Sequence, residues 1–199
     1  MKQSVIASLV ALCLLFGNSA FGKCASWGNF VPPKTQNFKQ LQGLWVFEQE
    51  ATGIFDIRPE GKNWLFVQYH FDEGKYSKTP IKMMKNGTFV KVDDGHYLGY
   101  DTNVKEIVGV DDKGCRMTGS ARLSADDVHV IYSPEGYTNV RRGASNKHAI
   151  IRQIPNGTNI IIAEHSEHNS TSNPYKEVLY FNYDKHLVGT GFVHKSQFK

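Results

Sequence analysis

The chain predicts an all-β protein, an antiparallel up-and-down meander closed into a barrel, and three observations carry that prediction. From Gly43 onward, short segments rich in β-branched and aromatic residues follow one another, and none continues at helical spacing. The links between them are short and carry hairpin chemistry, as in Asp93-Asp94-Gly95, Pro155-Asn156-Gly157 and Asp184-Lys185. Parallel strands would need crossovers of about a dozen residues or more. A meander of roughly eight to ten twisted strands with one wet face removes its edges by closing on itself. A two-sheet β-sandwich satisfies the same pattern without closure.

In order along the chain, Lys2 precedes an apolar run from Val5 to Phe16, and small residues at Ala20 and Gly22 follow. That is the layout of a signal peptide, residues 1–22, cut after Gly22. The run is shorter than the roughly 20 residues that span a bilayer, and no later stretch is apolar enough to span. The expected location is therefore secreted: extracellular, or periplasmic in a bacterium. The remainder, 23–199, reads as a single β-barrel domain without linker or repeat. Pro32 to Asn37 leads into Phe38 and Leu41, one helical turn capped near Asn37 and stopped by Gly43. Strands are expected over Gly43–Gln49, Trp64–Phe71, Thr88–Val92, His96–Tyr100, Val104–Val110, Cys115–Leu123 and Val128–Tyr132. Four more follow over His148–Ile154, Asn159–Glu164, Lys176–Tyr183 and His186–His194.

Composition narrows the functions. The formal charge of +4 comes from scattered Lys and Arg, not from the basic stripe of a nucleic-acid binder. Cys24 and Cys115 remain after cleavage, and in an oxidising compartment they most simply form one disulfide, worth about 4 kcal/mol in the chain-entropy model. Asn86, Asn156 and Asn169 each begin an Asn-x-Ser/Thr sequon, used only in a eukaryote.

Catalytic patterns are sparse. His165 and His168, beside Glu164 and Glu167, form the one dense group of metal-ligand types, and a metal-dependent enzyme would be centred there. A solvated loop tip explains the same residues. No Gly-x-Ser-x-Gly elbow occurs. The Asp pairs 93–94, 111–112 and 126–127 fall at hairpin tips, where turn formation explains them. Gly189-Thr190-Gly191 reads as a strand bend in which two glycines let the sheet curl. No cofactor is expected, and the chain is read as a non-enzyme.

The helical turn Phe38 to Gln42 followed by Gly43-Leu44-Trp45 resembles the first motif of lipocalins and related calycins. The chain has neither the Thr-Asp-Tyr turn nor the long amphipathic helix of lipocalins, so the resemblance stands at the calycin level. It implies that Gly43 lets the chain turn into the barrel and that Trp45 plugs its floor. It also implies a late arginine against that tryptophan, for which Arg152 is the candidate. The function it implies is a secreted protein holding a small hydrophobic or amphipathic ligand in the barrel, with Phe47, Phe66 and Tyr69 on the wall. The alternative is an interaction module with a filled core that binds a protein or matrix partner through its loops.

Overall fold

The chain's computed structural model describes residues 37–47, 53–84, 90–93, 96–111, 116–163 and 169–199. It begins with the expected helical turn, α1 (Phe38–Leu41). Asn37 caps that turn in a reciprocal box: its side chain accepts from the Gln40 N–H, and the Gln40 side chain accepts from the Asn37 N–H. Gly43 then takes φ = +123°, a backbone conformation that side chains rarely adopt, and opens the first strand.

Eight strands follow: β1 (Gly43–Phe47), β2 (Ile54–Glu60), β3 (Asn63–His70), β4 (Lys75–Met83), β5 (Val90–Asp93), β6 (His96–Asp101), β7 (Glu106–Val110) and β8 (Arg116–Arg122). They form a closed barrel in sequence order. Closure comes from antiparallel pairing of β8 with β1, at Trp45↔Arg122, Val46↔Ala121 and Phe47↔Ser120. The antiparallel up-and-down meander is therefore the architecture of these strands, not the sandwich. Spacing alone misses β2 and β4, because both carry polar residues and a proline. Asp56 and Arg58 form an ion pair at 3.7 Å on β2, next to Pro59, and β4 includes Pro80 among lysines and serine.

Alternation places one set of side chains in the barrel's core. The partners Trp45↔Phe55, Gly43↔Ile57, Val90↔Leu98 and Tyr100↔Ile107 share faces. Trp45, Phe55, Ile57, Phe66, Ile81, Val90, Leu98 and Ile107 join Leu41 in one hydrophobic cluster. Rings stack within it: Phe47–Phe55 at 4.6 Å, Phe55–Phe66 at 5.0 Å, and Phe38 parallel to Trp64 at 4.8 Å.

A closed barrel offers no edge to a further strand, and the chain past Arg122 builds a sheet of its own. Its strands are β9 (His129–Val130), β10 (Tyr137–Arg141), β11 (Ile150–Pro155), β12 (Asn159–Ile162), β13 (Tyr175–Asn182) and β14 (Leu187–His194), in the order β11-β10-β14-β13-β12-β9. Strand β10 was not foreseen, since Tyr-Thr-Asn-Val-Arg offers one aliphatic residue. The chain divides into two compact units: 1–67 with 78–122, and 68–77 with 123–199. The tips of β3 and β4 thus belong to the second unit, where Tyr69 and Phe71 meet Phe181 at 4.7 and 6.1 Å, and Tyr76 meets Tyr183 at 5.1 Å. One face of the six-stranded sheet carries its core: Val140, Ile154, Ile160, Val178, Tyr180 and Val193.

Candidate functional site

At the α1 end of the barrel, the Trp45 indole N–H donates to the Leu41 carbonyl at 2.8 Å, tying the ring to the helical turn. The Arg122 guanidinium lies 4.4 Å from the centre of that ring. The same guanidinium donates to the carbonyls of Gln40 and Gln42, both at 2.8 Å, so it satisfies acceptors at the end of α1. A Cβ on Gly43 would lie 2.8 Å from an Arg122 nitrogen, which gives a second reason for glycine there.

The arginine over Trp45 is therefore Arg122, not Arg152. Register decides it: the last barrel strand pairs with the first, and Arg122 is the direct partner of Trp45. Arg152 lies on β11 in the second unit, where its charge acts on the Tyr180 phenol. Burial pushes the Tyr180 phenol up from its ordinary range, and the adjacent guanidinium opposes that shift.

Of the expected wall residues, Trp45, Phe47 and Phe66 come together in the barrel cluster. Tyr69 does not join them. It lies three positions after Phe66 on the same strand, hence on the opposite face, and it packs in the second unit. Trp45, Phe55, Ile57, Val90 and Ile107 are each 0 % exposed, while Ile81, Leu98 and Phe66 of the same cluster keep 5, 6 and 9 %. Ser120, paired with both Phe47 and Ile107, is also buried, and its hydroxyl has no hydrogen-bond partner among the described residues.

Other expected sites fall in two groups. The signal peptide (1–22), Cys24, Cys115, Asn86, His165 and His168 lie outside the described residues. Among the described residues, no group of three or more His, Cys, Asp or Glu could hold a metal, and no helix is long and apolar enough to cross a membrane. Asn156 and Asn169 use their amides as pins. Asn156 accepts from the Ser133 N–H at 2.9 Å and donates to the Ser133 carbonyl at 2.8 Å. Asn169 accepts from the Glu177 N–H at 2.7 Å and donates to the Ala163 and Glu177 carbonyls at 2.6 and 3.3 Å. A glycan on Asn169 Nδ2 would replace one of the two hydrogens those bonds use.

A concavity that the sequence did not suggest opens in the second unit. Strands β10 and β14 pair at one position, Arg141↔Phe192. Gly191 permits even that approach, since a Cβ there would lie 2.4 Å from a Val140 methyl carbon and 3.1 Å from the Arg141 carbonyl oxygen. Beyond the contact the strands part. At the far end the chain is tied again, where the Tyr132 N–H donates to the Gln197 carbonyl and Ile131 bridges to Phe198. Between these ties lies a groove of about 360 Å³.

One wall of the groove comes from β10, whose Tyr137, Asn139 and Arg141 alternate onto the same face. The other comes from Tyr175 and His194, cross-strand partners whose rings meet edge to face at 5.0 Å, and from Gln197. Most of these groups are oriented by hydrogen bonds. Arg141 donates to the carbonyls of Asn146 and His148, Asn139 accepts from Gln153, and His194 Nδ1 accepts from the Ser196 N–H. That last bond leaves the proton of the neutral ring on Nε2. The only sequence signal for this site was the alternation Tyr137-x-Asn139-x-Arg141, too short to read as a strand.

Comparisons with protein-family models, with curated proteins and with solved structures return no match.

Proposed function

We propose that this chain is a secreted, calycin-like binding protein whose barrel serves as a solid scaffold and whose recognition surface lies on the second sheet. The observation that carries this reading is the absence of exposed surface on Trp45, Phe55, Ile57, Val90 and Ile107. A barrel that holds a ligand needs inward side chains with space beside them, and these five have no exposed surface. Membership of the calycins draws support from the helical turn, Gly43, and the Arg122 guanidinium over Trp45. The groove between β10 and β14 supplies the open, hydrogen-bonding concavity that the packed part of the barrel core lacks. Secretion draws on the amino-terminal apolar run with its small-residue cleavage pattern.

The test is thermal melting of the purified chain with palmitate, all-trans retinol and haemin, each in excess. The expected result is a melting temperature that none of them moves. A rise with any of the three, together with quenching of tryptophan fluorescence, would overturn the scaffold reading and establish a carrier that holds its ligand among the barrel's aromatic side chains.

A further inference from the structure

We infer that the groove between β10 and β14 is a saccharide subsite, an assignment that rests on the reading of the second sheet as the recognition surface. The charges of the lining come first. Arg141 supplies one cation and Glu135 one carboxylate, so the lining carries no net charge when His194 is neutral. A polyanion such as a nucleotide would find no field to hold it. A divalent ion would find one imidazole and one carboxylate, short of the three or more protein ligands a metal site uses. A hydrocarbon would strip water from side chains that offer it no hydrogen bond in return.

What remains is a ligand that both donates and accepts hydrogen bonds around its rim and carries an apolar face. A sugar ring has that chemistry. Vicinal hydroxyls match the atoms these side chains leave after internal bonding: the Asn139 amide NH2, the Gln197 amide oxygen and Glu135 Oε1, while Gln153, Ser196 and Ser133 engage Asn139 Oδ1, Gln197 Nε2 and Glu135 Oε2. The Tyr137 and Tyr175 hydroxyls make no hydrogen bond to the described residues, which leaves them as donors and acceptors for such a rim. His194 adds an Nε2–H. Tyr137 lines the groove and is 41 % exposed, and the face of an aromatic ring suits the C–H face of a sugar. The size agrees as well: about 360 Å³ lies at the lower end of the small-ligand range, room for one or two rings.

Pre-organisation favours the same assignment. Arg141, Asn139 and His194 are each held by a hydrogen bond, and the groove is tied shut at both ends by backbone contacts. A ligand would then bind without the cost of ordering these walls.

The experiment is isothermal titration calorimetry of the full chain with N,N′-diacetylchitobiose, lactose and maltose at millimolar concentrations. At least one is expected to bind saturably. Tyr137→Ala and Gln197→Ala, both at solvent-accessible positions, are each expected to weaken it about tenfold or more while leaving the melting temperature unchanged. Failure of all three sugars to bind, or binding undiminished in both variants, would overturn the assignment. In that event an unmoved melting temperature with palmitate, retinol and haemin would still uphold the scaffold reading, so the two failures are distinguishable.

Discussion

The barrel and the six-stranded sheet are built from the same short antiparallel strands, yet one closes over its core and the other opens a groove. Within the sheet, pairing is sparse beside the groove. In the barrel, β6 pairs with β7 at five consecutive positions and β8 pairs with β1 at three, and the side chains on the enclosed face converge into one cluster. In the sheet, β13 and β14 pair at eight positions, whereas β10 touches β14 at one. A single point of pairing leaves polar strand flanks facing each other across a gap. Among the described residues, the groove between β10 and β14 lies where the ladder is interrupted.

The largest test of that contrast is Trp45→Ala. Removing a fully buried indole, its bond to the Leu41 carbonyl and its guanidinium partner is expected to destabilise the barrel by about 3–5 kcal/mol. Trp64, which stays in this variant, belongs to the first unit, so the change in its fluorescence during urea unfolding follows that unit. Next comes Gly191→Val, which drives a side chain into Val140 and should cost about 2–3 kcal/mol. Tyrosine near-UV circular dichroism reads it, and the expected change is loss of the 141–192 pairing together with the groove.

Arg122→Met keeps the stem but removes two hydrogen bonds and the cation over the ring, and is expected to cost about 1–2 kcal/mol by urea melts. The matching change Arg152→Met should leave the barrel transition where it was. The smallest effect is one of pH. The buried Tyr180 phenol stays protonated in the folded state at pH values where the unfolded chain has begun to ionise. Its contribution is complete below a pH of about 10 and is lost as pH rises through the folded value. Tyr180→Phe should flatten that alkaline decline in stability.

Much of this arrangement was legible in the residues themselves. Gly43, Trp45 and the Asn37 cap announced the start of the barrel, because their roles depend on neighbours within a few positions. The partner of Trp45 was not legible, since it depends on which strand closes the barrel, a long-range fact that the local setting of Arg152 could not convey. Tyr69 was misplaced for a related reason. Strand Trp64 to Phe71 has aromatics on both faces, so alternation alone does not say which face the core occupies. Strand β10 and the groove it lines went unread because a strand that lies beside a polar opening has no need of an apolar face.

The ribbon formed by β3 and β4 has a consequence for how this protein can be divided. Residues 68–77 are encoded inside the barrel's stretch of sequence but supply Tyr69, Phe71 and Tyr76 to the ring cluster around Phe181 and Tyr183. A truncation beginning at Leu123 would contain every strand of the second sheet and still lack part of its interior. The second unit is therefore discontinuous in the gene, and no single cut in the chain releases it whole.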